Sequence, residues 1–236
     1  MGETLGLLGF GPDGWGDELA AGAWLTLRLA LATLPFGLTI GFLAALGRNS
    51  GSRWLRVPGS IFTTLFRGLP ELLTLLIVYY GGQMLLSRVF GLFGEGQVEV
   101  SAFVAGMVAL GLVFAAYASE VFLGAFRAIS RGQYEAARAL GLGRFSTMRL
   151  VIFPQLIRLA LPGLANLWLV LLKDTSLVSV IALNDLLRQT SVAVRGTKEP
   201  FLFYLVACLI YLFLSAVSSV GVEGIERWAN RGMRRS

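Results

Sequence analysis

The chain has 236 residues; 56% are hydrophobic, 14% are charged, and the net charge is +6. A soluble domain carries about a quarter charged residues, and no fold in water hides this much apolar surface, so the composition is that of an integral membrane protein. Histidine is absent and Cys208 is the single cysteine, which excludes imidazole chemistry, a disulfide framework and Cys/His metal clusters; no catalytic residue and no metal ligand is assigned.

The positive charge does not point to nucleic acid. The basic residues form no face or stripe but fall in clusters between apolar segments, the pattern of membrane orientation. No Gly-x-x-x-x-Gly-Lys-Ser/Thr loop occurs, so the chain is expected to hold no cofactor, and any nucleotide energy must be bound by another chain.

Residues 1–18 contain Glu3, Asp13, Asp17 and Glu18 but no Lys or Arg. A secretory signal starts basic, so this acidic stretch reads as a retained periplasmic tail. A membrane-crossing helix needs about 20 mostly apolar residues. Five segments qualify, at roughly 19–46, 60–86, 100–126, from 155 through "LLKDTSL", and 201–222. The second is read as one helix running through "RGLPE". "GRNSGSRWLRVPG" is read as a turn, "GLFGEGQVE" as a break, and residues 184–200 as a polar segment at the outer surface. Residues 19–222 thus form an all-α, polytopic membrane domain and 223–236 a cytoplasmic tail. No tandem repeat is present.

Fourteen of the 20 basic residues fall on one set of loops: Arg48, Arg53, Arg56 and Arg67, then Arg127 through Arg158, then Arg227 through Arg235. The positive-inside rule makes those loops cytoplasmic. The N-terminus is then periplasmic and the C-terminus cytoplasmic, and the polar loop at about 128–150 faces the cytoplasm.

That loop contains "YEAARALGLGRFSTMRLVIFPQ", residues 134–155. Tyr134 to Leu140 suits two helical turns. Glu135 and Arg138 are spaced to pair along one face, the alanines favour helix, and Gly141 suits the left-handed stop after a helix. A slim polar helix of this kind fits a groove on another protein; equally, it fits an ordinary connector.

Ionisable side chains inside a bilayer cost several kcal/mol on insertion scales and need a reason. Arg67 and Glu71 are spaced i, i+4, and Glu120 lies about two turns before Arg127, so Arg67, Glu71 and Glu120 are candidates for one internal ion network. Alternatively, one of the two acids lines a path for cations. Lys173 and Asp174 are adjacent and point about 100° apart, with Thr175 and Ser176 at the same level. Asp174 could receive an ammonium or guanidinium and the hydroxyls a carboxylate; alternatively they bond helix to helix.

"EAARALG" followed by "VIFP" at Val151 to Pro154 resembles the cytoplasmic signature of permease subunits of bacterial ATP-binding-cassette (ABC) importers. Glu135, Ala136, Ala137, Gly141 and Pro154 match in register; Val151 and Phe153 stand where Ile and Leu are usual, and both stay apolar. "GAWLTLRLAL", "LFRGLPELLTLLIVYYG", "AAYASEVFLGAFRAI" and "LLKDTSLVSVI" extend the likeness over nearly the whole chain, to the polar amino acid branch. Within that branch the chain looks most like the membrane subunits of histidine/lysine/arginine/ornithine and octopine/nopaline importers, which also carry an acid at the position of Glu71. The resemblance implies a type I importer permease fold and a path for polar, basic amino acids or opines. Coupling to an ATPase would run through Glu135, Ala136, Ala137, Gly141, Gly143 and Arg144. The implied partners are a second homologous permease chain (in a heterodimer, with a homodimer as the alternative), two ATPase subunits that hold ATP and Mg, a periplasmic binding protein and the amino acid. A stand-alone, ion-coupled carrier of small cationic solutes is the competing function; a non-transporting scaffold would have little use for Lys173 and Asp174.

Overall fold

The computed structural model describes residues 6–12, 14–92 and 99–229. Glu3, Asp13, most of "GLFGEGQVE" and the basic tail residues Arg231, Arg234 and Arg235 lie outside the described residues. In chain order the helices are α1 (Gly16–Asn49), α2 (Arg53–Gly68), α3 (Glu71–Gly91), α4 (Ala102–Ala128), α5 (Arg131–Ala139), α6 (Arg144–Ile181), α7 (Leu186–Thr197) and α8 (Pro200–Ala229). No strand occurs among the described residues. Five helices, α1, α3, α4, α6 and α8, are long and apolar enough to cross a membrane.

Two of them are not uniform. A π-helical turn interrupts α3 at Ile77–Gly81, and another lies near the start of α6 at Met148–Ile152. After Asp174, α6 tightens into 3₁₀ turns over Thr175–Ile181 and stops at Ala182, whose φ of 62° is left-handed.

The structure corrects two sequence readings and gives a third segment its form. The segment expected to run as one helix from 60 to 86 breaks at Leu69–Pro70, where Pro70 takes ψ 133° ahead of α3. Proline has no N–H to give and pushes the preceding residue out of the helical region. The expected turn at 47–59 is helical from Arg53 onward, with Pro58 inside α2 as its sixth residue; a proline there removes one i→i−4 bond without stopping the helix. Residues 184–200 hold α7, which buries Leu186, Thr190 and Ala193.

The chain divides into two compact units, 1–36 with 69–111 and 170–216, and 37–68 with 112–169 and 217–236. In the first, Leu19, Leu186, Ala193, Phe203 and Ala207 form a buried cluster, and Trp15 meets Phe203 edge-on at 6.5 Å. Gly22 lets α1 touch backbone: a Cβ there would sit 2.9 Å from Leu186 Cα. One turn on, the Thr26 hydroxyl accepts from the Leu186 N–H at 3.2 Å and donates to the Gly22 carbonyl at 3.0 Å. Asp185, fully buried, caps α7 by accepting from the Arg188 and Leu187 N–H groups at 3.0 and 3.4 Å. These bonds satisfy donors that a helix start otherwise leaves orphaned.

In the second unit, Phe42 of α1 is surrounded by Phe122 and Phe126 of α4 and Phe153 of α6, with ring centroids 5.4–6.2 Å apart. These separations suit edge and offset contacts between aromatic rings. Gly41 again allows close approach, since a Cβ would lie 2.8 Å from the Ala115 carbonyl.

Candidate functional site

The polar loop builds from its own backbone. α5 ends with a double lock. The Leu142 N–H donates to the Ala137 carbonyl at 3.0 Å, and the Gly141 N–H donates to the Arg138 carbonyl at 2.9 Å. Gly141 has φ +76°. This is the six-to-one and five-to-two pairing of a Schellman stop, which asks for a left-handed residue where glycine stands. Gly143 then opens α6, its carbonyl accepting from the Thr147 N–H at 2.8 Å. Its φ is −67°, and a Cβ would meet nothing within 4 Å. The loop's two glycines therefore differ: one is required by conformation, the other is not.

Ala137 is the buried anchor of α5, while Glu135, Ala136, Arg138 and Arg144 are exposed. The anticipated Glu135–Arg138 pair is absent among the ion pairs of the described residues. Water screens both heads, and holding two long side chains together there gains little. Leu140, Phe145 and Leu150 are exposed beside them. A cleft of about 310 Å³ lies among Tyr134, Arg138, Leu142, Arg144, Thr147 and Met148, and burial pushes the Tyr134 phenol above its usual pKa. The loop thus offers apolar knobs, free cations and a free carboxylate around a rigid turn.

The acids divide between the two units. In the first, Glu71, the first residue of α3, has its carboxyl beside that of Asp174 at the end of the α-helical part of α6; α3 packs on the 3₁₀ turns that follow. Asp174 is half-buried, and Lys173 beside it is exposed. Ser176 is half-buried, whereas Thr175 is fully buried and its hydroxyl donates to the Leu172 carbonyl at 2.7 Å. The Tyr211 hydroxyl lies against Thr26 and Thr175. Two carboxylates side by side repel each other, and the Lys173 ammonium acts on Asp174 in the opposite sense. The pair is therefore suited to a cationic guest.

In the second unit, Glu120 Oε1 accepts from Arg67 Nη1 at 2.6 Å and forms an ion pair with Arg48 Nη2 at 3.0 Å. Arg48 also reaches Ser119 Oγ at 3.3 Å, and the Arg67 guanidinium lies 5.6 Å from the Tyr117 ring centroid. The ion network read from the sequence as Arg67, Glu71 and Glu120 is thus corrected at one member. Arg48 joins Arg67 on Glu120, while Glu71, facing the other acid, takes no part in the ion pairs of the described residues. Arg48 and Asp185 are the polar residues that sequence reasoning missed. An Asp immediately before the apolar start of a helix was signal enough for the second; nothing local marks the first.

Residues 37–235 match the family described as "binding-protein-dependent transport system inner membrane component". The chain is 45% identical over 232 residues, 98% of each chain, to the nopaline transport system permease protein NocQ of Agrobacterium fabrum. It is 38% identical over 223 residues, 94% of this chain and 98% of the relative, to the histidine/lysine/arginine/ornithine transport system permease protein HisQ of Escherichia coli. Among solved structures it resembles a chain of an amino acid ABC transporter crystallised with histidines, with a TM-score of 0.77 and 32% identity, over 90% of this chain and 94% of the other. A chain of the MetNI methionine ABC transporter shares the fold at a TM-score of 0.70 and 18% identity, over 90% and 96% of the two chains. With five membrane-length helices and a match over most of its length, the chain belongs to the family of binding-protein-dependent transport system inner membrane components and is a multi-pass ABC importer permease subunit of the bacterial inner membrane.

Proposed function

We propose that this permease subunit forms half of a path for a basic amino acid or an opine, and that the Glu71–Asp174 carboxyl pair receives the substrate's cationic group. The contact between those two acids carries the reading. A cation placed between them would relieve their repulsion, which a neutral side chain would leave in place. Ser176 is positioned nearby for a polar group of the substrate; Thr175, with its hydroxyl committed to the backbone, supports the turn. The names of the relatives, which include nopaline, octopine and histidine/lysine/arginine/ornithine systems, support the same substrate class.

The loop around Glu135, Ala136, Ala137, Gly141, Gly143 and Arg144 docks on an ATPase chain, which holds ATP and Mg. Its locked turn and exposed Leu140 and Phe145 suit a contact that must transmit force. The N-terminus is periplasmic and the loop cytoplasmic, in line with the arginine census. A second homologous permease chain completes the path as a heterodimer, with two ATPase chains inside and a binding protein outside. The chain itself performs no covalent step. A carrier driven by an ion gradient alone is disfavoured by a family defined by dependence on binding proteins.

The test is reconstitution of the chain with its partner permease, ATPase and binding protein in liposomes, followed by uptake of labelled arginine. ATP-dependent uptake of arginine in preference to glutamine supports the proposal. Uptake by the chain alone under a pH gradient, or equal uptake of both amino acids, overturns it.

A further inference from the structure

α2 is not among the membrane-length helices, yet much of its surface is apolar and uncovered. It follows the end of α1 after three residues and precedes α3 by two. A helix so placed, between two spanning helices, lies close to the edge of the bilayer.

Its two faces differ. One face packs on α1: a Cβ on Gly59 would lie 2.8 Å from Arg48 Cγ and 3.2 Å from the Ala44 carbonyl, and Thr63 is buried. Away from that contact, Trp54 is 90% exposed, and Leu55, Val57, Ile61 and Leu65 are exposed with it. Arg53 and Arg56 are also exposed, and neither takes part in an ion pair among the described residues. Arg53 with Val57, and Trp54 with Pro58, are i, i+4 neighbours on the helix surface. Together the four line an open groove of about 520 Å³. The groove has a guanidinium at its rim, an indole along its side and aliphatic groups along the rest.

Each part has a match in a phospholipid. Arginine stems lie along apolar surface and extend their heads to the polar boundary. Tryptophan favours that boundary. An amphipathic helix with basic residues on one side and Trp and Leu on the other lies in the interfacial plane and favours anionic lipid. Two unpaired cations beside an apolar groove ask for a ligand with one negative head and a hydrocarbon body. A water-soluble anion has no use for Trp54, and a neutral lipid has none for Arg53 and Arg56.

We infer that the Arg53–Trp54–Val57–Pro58 groove of α2 binds an anionic phospholipid, its phosphate held by Arg53 and Arg56 and its acyl chain lying along Trp54 and Val57. The ligand is structural and regulatory rather than transported cargo. It fixes α2 at the membrane boundary, just ahead of the Arg67–Glu120 pair at the other end of the same helix.

The test uses the assembled transporter in vesicles of phosphatidylcholine containing brominated phosphatidylglycerol, with tryptophan fluorescence as the readout. The Trp54→Phe variant isolates the Trp54 signal by difference. In the wild type, Trp54 should be quenched at a lower mole fraction of brominated phosphatidylglycerol than of brominated phosphatidylcholine. Arg53→Gln with Arg56→Gln should raise the mole fraction for half-quenching about tenfold, each basic residue near the surface contributing several-fold. Native mass spectrometry of the detergent-purified complex is the second readout: at least one phosphatidylglycerol should be retained by the wild type and lost from the double variant. Equal quenching by the two lipids overturns the inference. So does a Trp54 signal in the assembled transporter that neither brominated lipid quenches, since a protein would then cover the groove.

Discussion

Arg67 donates to Glu120 at 2.6 Å, tying α2 to α4 across 53 positions of sequence. Arg48 approaches the same carboxylate oxygen at 3.0 Å. Among the described residues the carboxylate therefore has two cations, and each arginine has one acid. Removing the acid should cost more than removing either base. Glu120→Gln leaves two unpaired guanidiniums and should destabilise the complex by about 1–3 kcal/mol, between exposed and buried pairs. Arg67→Gln leaves the Arg48–Glu120 pair and should cost under about 1 kcal/mol. Thermal unfolding in detergent gives the order; a larger loss for Arg67→Gln contradicts the shared-oxygen arrangement.

Glu71 and Asp174 should govern charge selectivity together. Glu71→Gln and Asp174→Asn should each lower ATP-driven uptake of arginine about tenfold or more relative to glutamine, because one charged hydrogen-bond partner is lost. The double variant should cost less than the sum of the two, since both carboxyls serve one cation. Equal losses for both amino acids would assign the pair to structure instead.

The two loop glycines predict opposite outcomes. Gly141→Ala places a Cβ on a residue with φ +76° and should weaken the turn by about 1–2 kcal/mol. ATPase stimulation should fall while membrane insertion is unchanged. Gly143→Ala meets open space at φ −67° and should leave stimulation within about twofold. Titrating the purified ATPase against each variant in nanodiscs distinguishes them.

Asp185 supplies a pH dependence. Its burial raises its pKa to about 6 despite the two backbone N–H groups it accepts from. The folded state thus holds the proton more tightly than an unfolded chain, whose aspartate titrates near 3.9. Stability from this group is full below about pH 4 and is lost as pH rises through about 6. A shift of this size amounts to roughly 2–3 kcal/mol. Asp185→Asn keeps an equally good cap without the charge. It should flatten the stability profile between pH 4 and 6 and raise the unfolding temperature at pH 7. Asp185→Ala should lose the cap, at about 1 kcal/mol.

What the sequence could show depended on the distance over which each feature is built. The α5 stop was legible because Gly141 and its partners Ala137 and Arg138 are local in the chain. The five apolar segments were legible because hydrophobicity is additive along a helix. The α2–α3 break was misread although Pro70 was in plain view, since apolar residues on both sides masked it. The acid contact could not be read at all: Glu71 and Asp174 are 103 positions apart, and either could as well have met a base. Arg48 was assigned to a loop on charge alone, yet its side chain is only 14% exposed and turns back onto Glu120.

The π turn at Met148–Ile152 sets an angular relation between loop and span. Such a turn amounts to one residue inserted into an α-helix, and each α-helical residue advances the chain by about 100°. The five residues between Thr147 and Phe153 therefore act as a phase setter. Delete one, and the remaining four close as plain α-helix with little change of phase; wind all five as α-helix instead, and the Glu135–Arg144 surface turns by about a quarter turn about the axis of α6. The direction in which that surface faces is thus set by how tightly five residues are wound, independently of any side chain on the surface itself.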